Sequence, residues 1–356
     1  MENYTYFFYS DGLLRCLHLA ETDKEGWQTF QSFLSHEKER ERSNKELQEY
    51  HAEHSVQFVR EICERGGDYT EEELHRMIGI MSTNALDISL GIEMSVIERY
   101  KLLTLMPGKG YGELMGFYPL FSNLNHSCLA NAKAVKRRDK CVEVRAKREI
   151  RAGEEICIQY LLETQPTRLR RELIARKWFF QCSCLRCSDR TEAGTFLDGL
   201  KCRAVGCGGT VLPVSPLESL SDFSCDLCEA KTSASEVTAI VQGAEAEACR
   251  RVGREVAIDH MESVIEKYRD ILHETNYIVL SLKMKLACLY GNLPPSSVLA
   301  KMSPRELQRK SDYCRQGLHV IYTLDEGNVG ENTWKVRLEK ELKRTNFILF
   351  QLTGKE

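Results

Sequence analysis

The chain reads Ser122-Asn123-Leu124-Asn125-His126-Ser127-Cys128 and, further on, Cys182-Ser183-Cys184-Leu185-Arg186-Cys187. The first stretch sets amide, imidazole and hydroxyl groups beside apolar residues, a mixture suited to hydrogen-bonding a polar ligand in a partly buried groove. Taken alone, it fits a polar turn equally well, because short motifs often match by chance. The second stretch supplies three thiols at metal-ligand spacing. Because tetrahedral zinc takes four ligands, Cys128 is the natural fourth.

Between these stretches lies Gly153-Glu154-Glu155-Ile156-Cys157-Ile158-Gln159-Tyr160. Its glycine-led turn and β-branched residues predict a short strand that ends at Tyr160. A tyrosine at a strand end is, by itself, more often a packing residue than a catalytic one. A charged segment that includes Arg168, Arg170 and Arg171 follows and is predicted to be helical.

A second group of cysteines has the spacing Cys202-x4-Cys207-x17-Cys225-x2-Cys228. This is zinc-ribbon spacing, and the four thiols can complete a metal site without help from elsewhere. Gly208 and Gly209 follow the first pair, as expected for a knuckle turn. The alternative is four unrelated buried thiols. The remaining cysteines are dispersed and are interpreted as core residues.

The composition excludes several classes of protein. The 356 residues are 42% hydrophobic and 28% charged, enough for a real core and two or three domains. With 49 basic and 52 acidic residues, the net charge of -3 gives no electrostatic reason to expect that the chain as a whole binds nucleic acid directly or attaches to an anionic membrane. Met1 to Gly12 lacks the pattern of a secretory signal, and no run of about 18 apolar residues occurs. We expect an intracellular protein, cytoplasmic or nuclear.

One run, Lys133-Ala134-Val135-Lys136-Arg137-Arg138-Asp139-Lys140, is strongly basic. It has the composition of a nuclear localisation signal or a nucleic-acid patch. It also lies between two predicted strands, and we therefore favour an exposed hairpin tip.

Together, the order, spacing and composition of these motifs resemble the SET domain of SMYD-type protein lysine methyltransferases, nearest the arthropod SmydA/Msta branch. The resemblance extends to Ile78-Gly79-Ile80-Met81-Ser82-Thr83-Asn84, Gly116-Phe117-Tyr118-Pro119 and Trp178-Phe179-Phe180. It implies an α+β fold: a β-rich SET core of pseudoknot type with a helical insert, a cysteine-rich zinc post-SET region and an all-helical, tetratricopeptide-like C-terminal domain. The expected divisions are 1–110 for the helical insert region, 111–165 for the core, 166–190 for the post-SET zinc segment, 191–230 for the second zinc segment and 231–356 for the helical domain.

The resemblance also implies a methyl donor, S-adenosylmethionine, and an acceptor, a lysine of a protein or peptide. Tyr160 would be the catalytic tyrosine at the mouth of the lysine channel, and Trp178 would line that channel. The residues implied to contact the cofactor are Asn84, Ser122, Leu124, Asn125, His126, Phe180 and, more weakly matched, His36. Two zinc ions are expected, one on Cys128, Cys182, Cys184 and Cys187 and one on Cys202, Cys207, Cys225 and Cys228. The helical C-terminal domain would be suited to a protein partner.

The sequence departs from the family pattern at its start. SMYD-type proteins begin with a SET segment that carries a glycine-rich cofactor turn and is interrupted by a MYND zinc finger, and this sequence starts after both. Cys16 and Cys63 are the only cysteines before residue 128. The alternative function is therefore a catalytically impaired SET pseudoenzyme that acts as a zinc-organised interaction module or transcriptional regulator.

Overall fold

The structure, a computed structural model, describes residues 3–43, 53–65, 67–87, 115–137, 139–253, 256–291, 302–325, 327 and 333–354. Within these ranges, helices and short strands are combined in one chain, and the predicted α+β class is confirmed. The helical prediction for residues 88–110 lies outside the described residues.

The N-terminal part is helical and packs around its own apolar core. Its elements are α1 (Asn3–Thr22), α2 (Lys24–Gln31), α3 (Glu37–Ser43), a single π-helical turn (Phe58–Ile62) and α4 (Glu71–Asn84). A capping box starts α4, since Thr70 accepts from the Glu73 amide while the Glu73 carboxylate accepts from the Thr70 amide. Leu13, Phe30 and Ile78 are fully buried in this core. The packing brings the end of α4 to the loop that follows α2.

The β-rich part consists of short strand pairs. Antiparallel β1 (Leu86–Asp87) and β2 (Met115–Gly116) are followed by a one-turn helix, α5 (Pro119–Ser122). The next pair is parallel: β3 (Asn125–His126) lies beside β6 (Cys157–Ile158), with Asn125 opposite Cys157 and His126 opposite Ile158. This register places the polar motif next to the strand that leads to Tyr160.

The basic run forms a β-hairpin. The strands β4 (Ala132–Lys136) and β5 (Val142–Ala146) are antiparallel, and Lys140 has a positive φ of 66° in the turn that joins them. Lys140 is exposed and lies in the turn, whereas Lys133 points from the other end of β4 into the protein and is half-buried. The predicted hairpin is present, but its tip is shorter than the predicted run, because residues 133–136 belong to β4.

The cysteine-rich part contains two helices and one sheet. Helix α6 (Thr167–Trp178) leads to the one-turn helix α7 (Leu185–Ser188). The sheet that follows has the order β10-β9-β8-β7, and all its neighbours are antiparallel. Its strands are β7 (Leu200–Lys201), β8 (Thr210–Pro213), β9 (Phe223–Cys225) and β10 (Lys231–Thr232).

The C-terminal part is helical, as predicted, and contains the largest core. Its helices are α8 (Ala234–Ala248), α9 (Ala257–Lys267), α10 (Tyr277–Leu289), α11 (Pro304–Leu324) and α12 (Thr333–Thr353). Helix α10 is buried along most of its length, because α9, α11 and α12 all pack against it. Among the described helices, none combines the length and apolar character needed to cross a bilayer.

A buried ion cluster joins the β-hairpin to the C-terminal helices. Asp325 follows α11 and lies 2.5 Å from Lys133 Nζ and 2.8 Å from Lys147 Nζ. The side chains of Asp325 and Lys147 are 4% and 3% exposed. Next to them, Gly327 has a φ of +83°, and a Cβ there would lie 2.4 Å from the Lys147 carbonyl oxygen. The hairpin and the end of α11 therefore meet at one closely packed point.

Replacing Asp325 by Asn should strongly destabilise the protein. The substitution leaves the Lys147 ammonium buried without its counter-ion, which typically costs about 3–5 kcal/mol. Glu143→Gln is the matched control, because it removes a carboxylate from an ion pair with Arg145 that is exposed on the same hairpin. Urea unfolding followed by circular dichroism measures both, and equal stability of the two variants would contradict the structural role assigned to Asp325.

Candidate active site and thiol clusters

The four cysteines predicted to form the first metal site converge in the structure. The sulfur atoms of Cys128, Cys182, Cys184 and Cys187 all lie within 4.8 Å of one another. Cys128 Sγ is 4.0 Å from Cys182 Sγ and 3.6 Å from Cys187 Sγ. A tetrahedral zinc with Zn–S bonds of about 2.3 Å requires sulfur separations of about 3.8 Å. The donor set and its spacing therefore fit zinc.

The close approach of these thiols separates their pKa values. Hydrogen bonds from Cys128 and its neighbours hold the pKa of Cys182 well below the ordinary thiol value and lower that of Cys184 to about 5. The hydrogen bond to Cys182 raises the pKa of Cys128 well above that value. The thiolate is the metal-binding form of cysteine, so a divalent cation would take the place of these mutual hydrogen bonds.

The second cysteine group also converges. Cys202, Cys207, Cys225 and Cys228 have their sulfurs within 4.8 Å of one another, with Cys202 and Cys228 3.5 Å apart and Cys207 and Cys225 3.7 Å apart. The amides of Ala204 and Gly209 donate to the sulfurs of Cys202 and Cys207, as in a knuckle turn. Unlike the first cluster, this one lies near the surface, where Cys228 is exposed. Its geometry also fits zinc.

The predicted catalytic tyrosine lies beside the first cluster. Tyr160 donates its phenolic hydrogen to the Leu124 carbonyl oxygen at 2.6 Å, and its ring centroid lies 4.8 Å from that of Trp178 and 5.1 Å from that of His126. Burial raises the pKa of Tyr160 to about 12. The phenol is therefore neutral at physiological pH. The Phe180 ring completes this aromatic group at 6.3 Å from His126.

His36 and Asn84 belong to neighbouring parts of the N-terminal helical region. His36 follows α2, and Asn84 ends α4. The Asn84 amide donates to the Leu34 carbonyl oxygen at 2.9 Å, and Ser122 Oγ donates to the Asn84 carbonyl oxygen at 2.9 Å. The His36 ring is 5.1 Å from the ring of Phe179. Both residues of that pair have positive φ, 55° and 58°, a conformation that costs energy in residues other than glycine.

Asn125 has a partner that sequence reasoning did not anticipate. Its amide donates to Glu155 Oε1 at 2.6 Å, across the parallel strand pair. His126 likewise uses its ring within the protein: Nδ1 accepts from the Tyr160 amide at 3.0 Å, and Nε2 lies 3.2 Å from Cys128 Sγ. The side chains of Asn125 and His126 therefore hold the residues on either side of β6 next to β3.

Asn131 is a further site residue that the sequence reasoning missed. It is buried, its amide donates to Glu154 Oε1 and to the Glu155 carbonyl oxygen, and its Oδ1 accepts from the Cys157 amide. These bonds fasten the motif to β6, the strand that leads to Tyr160. The available signal was an asparagine between two buried alanines, because an amide in such a place needs several partners. Phe179, Arg170 and Glu192 were missed as well.

Comparison with known proteins identifies the fold around this site. The family model described as SET domain matches residues 14–161. The matched span includes α4, the strand pair β3–β6 and Tyr160. The matched span is a SET domain. The prediction of the family from the motifs is confirmed.

Curated relatives are similar to this chain in sequence over part of their lengths. "SET domain-containing protein SmydA-8, isoform A" of Drosophila melanogaster is 32% identical over 161 residues, which are 44% of this chain and 31% of that protein. "Histone-lysine N-methyltransferase ASHR1" of Arabidopsis thaliana is 34% identical over 35% of this chain and 26% of that protein. Mouse "Histone-lysine N-methyltransferase SMYD3" is 38% identical over 24% and 20%. The chain thus matches less than a third of the length of each of these relatives.

The thiol geometry predicts about two zinc ions per chain, one for each four-cysteine set. Cys184→Ser should lower the zinc content to about one, because three thiolates and a hydroxyl hold zinc more weakly. Cys63→Ser is the control, since Cys63 belongs to neither cluster. Elemental analysis of the purified proteins measures the content. A folded wild-type chain without zinc would contradict both sites.

Proposed function

We propose that this SET-domain chain is a protein-lysine N-methyltransferase of SMYD type that uses S-adenosylmethionine. The observation that carries the proposal is the aromatic group formed by Tyr160, Trp178 and Phe180 beside β3, which bears Asn125 and His126. Several relatives are named as lysine methyltransferases, which supports the same reaction here. We further propose zinc in both thiol clusters and, because thiolate sites require reducing conditions, an intracellular location.

When bound, the cofactor would supply a methyl group on a sulfonium sulfur. We assign its contacts to His36, Asn84, Ser122, Leu124, Asn125, His126 and Phe180. Of these, Ser122 ends α5, and Asn125 and His126 form β3. Exposed Phe180 offers a ring face, and the Asn125 amide would exchange Glu155 for the ligand.

The protein's own contribution to the reaction would be alignment and desolvation. The attacking group is a neutral lysine amine, and the transfer is in line, so the amine has to lose water and be held in one direction. Trp178 and Tyr160 form adjoining aromatic walls suited to this. The Lys177 ammonium lies 4.5 Å from the centroid of the Trp178 ring, a cation–π contact of the kind that a lysine substrate would make on its approach. Tyr160 would act through position, as a neutral phenol held by the Leu124 carbonyl oxygen.

The second candidate is an impaired SET protein that serves as an interaction module. The observation in its favour is that two predicted cofactor-binding amides are engaged within the protein: Asn84 with the carbonyl oxygens of Leu34 and Ile80, and Asn125 with Glu155. In this case the helical C-terminal part would hold the protein partner. Cofactor binding separates the two candidates.

Calorimetry with S-adenosylmethionine on the zinc-loaded chain tests the proposal. We expect micromolar binding that Asn125→Ala abolishes and Asn123→Ala preserves, because Asn123 is the same residue type two positions earlier and its side chain donates to the Pro119 carbonyl oxygen. Absence of binding by the folded, zinc-loaded wild type would favour the interaction module.

Tyr160→Phe should separate binding from transfer. Cofactor binding should persist, whereas transfer of a radiolabelled methyl group to a lysine-containing peptide mixture should fall about a hundredfold, the typical cost of a lost positioning contact. A variant as active as the wild type would remove Tyr160 from the reaction.

A further inference from the structure

Arg170 lies beneath the first thiol cluster and donates to two of its sulfurs. Nε is 3.2 Å from Cys128 Sγ, and Nη2 is 3.6 Å from Cys187 Sγ. The side chain is 1% exposed. It comes from α6, on the face that also carries Leu173 and the fully buried Ile174. An arginine on a buried helix face requires partners, because an unpaired buried charge is very costly.

Glu192 supplies the main partner. Its Oε2 lies 2.7 Å from Arg170 Nη1 and 3.0 Å from Arg186 Nη2, while its Oε1 accepts from the Thr167 amide at 2.8 Å. Glu192 is itself buried and has a positive φ of 53°. The carboxylate thus fixes the guanidinium from the side opposite the sulfurs. Arg186 uses the same carboxylate but bonds otherwise to the carbonyl oxygens of Glu163 and Gln165.

From Cys128 the contacts continue to the catalytic tyrosine. A backbone N–H can only donate, so His126 Nδ1, which faces the Tyr160 amide, is the unprotonated nitrogen. In a neutral imidazole the hydrogen then lies on Nε2, which is 3.2 Å from Cys128 Sγ and donates to it. Cys128 therefore receives one N–H from Arg170 and one from His126. The series of contacts runs from Glu192 through Arg170, Cys128 and His126 to the Tyr160 backbone.

We propose that Arg170 is a positioning residue that couples the metal-bound thiolate of Cys128, through the His126 imidazole, to the placement of Tyr160. Hydrogen bonds to a metal-bound thiolate orient it and withdraw charge from it. The proposal deepens the proposed function, on which it rests for the role of Tyr160. In this arrangement Arg170 is a hydrogen-bond donor to the zinc site without being a zinc ligand. The placement of Tyr160 then depends on the metal.

The second thiol cluster provides an internal reference. Within the described residues, its sulfurs receive nitrogen donors from backbone amides, those of Ala204, Gly209 and Leu227. Both clusters have four cysteines, but a buried guanidinium donates only to the first in the described part of the chain. A change at Arg170 should therefore alter one metal site and leave the other unchanged in the same molecule.

Arg170→Gln in the full chain tests the coupling, with Arg186→Gln as the matched control. Both remove a buried arginine from Glu192, but only the first removes a donor to sulfur. We expect Arg170→Gln to lower the zinc affinity of the first cluster by about 10- to 100-fold, the usual effect of losing such a partner. In the cobalt-substituted protein, the sulfur-to-metal charge-transfer band of that cluster should move to longer wavelength. Arg186→Gln should leave that band in place.

A measurement on the wild type keeps the proposal falsifiable if both variants fail to fold. Nitrogen NMR on protein with labelled histidine should show His126, assigned through His126→Gln, as the Nε2–H tautomer in the zinc-loaded chain. The Tyr160 amide resonance, assigned through Tyr160→Phe, should shift when zinc is withdrawn from the first cluster.

Each outcome decides the question. An Nδ1–H tautomer, equal cobalt spectra for the two arginine variants, or a Tyr160 amide that does not respond to zinc would overturn the coupling. These readouts need neither cofactor nor methyl transfer. A chain that passes them but binds no S-adenosylmethionine would refute the proposed function and retain the coupling.

Discussion

The convergence of Cys128 with Cys182, Cys184 and Cys187 is the constraint on which the rest of the site depends. Cys128 follows β3, whereas its partners follow α6, so the four thiols close a long loop that contains the hairpin, β6 and Tyr160. Closing such a loop costs chain entropy that grows slowly with its length, and a shared metal would offset that cost. With the loop closed, Trp178 and Phe180 are carried to the side of the strand pair where Tyr160 lies.

Buried charge defines the geometry around this constraint. Glu192 holds Arg170 and Arg186 at the first cluster, and Asp325 holds Lys133 and Lys147 where the hairpin meets the C-terminal helices. In each case two cations share one buried carboxylate. Burying such groups is costly, and breaking one partner costs more still, so only one relative placement of the segments satisfies them. We interpret the two ion clusters, at Glu192 and at Asp325, as interactions that fix the relative positions of the segments they join.

Much of the architecture could be predicted from the chain because its signals are local. Cysteine spacing predicted both thiol clusters, and the position of the basic run from Lys133 to Lys140 between two predicted strands indicated a hairpin there. The family followed from motifs that recur in a set order. The predicted site residues could not be placed in detail by the same reasoning. Asn125 faces Glu155, and His126 faces Cys128 and the Tyr160 amide, because side-chain direction follows from strand register.

The sequence by itself determined the donor chemistry: eight thiols in two sets, one tyrosine after a predicted strand, and aromatic residues before Cys182. Only the tertiary structure decided which other side chains contact those thiols and aromatic rings. Arg170 reads as one of several arginines in a charged helix, yet it is the one beneath the Cys128 sulfur. Phe179, next to the predicted Phe180, takes a left-handed conformation and contacts His36. Such choices depend on packing between segments distant in the chain, and local residue preferences carry no information about it.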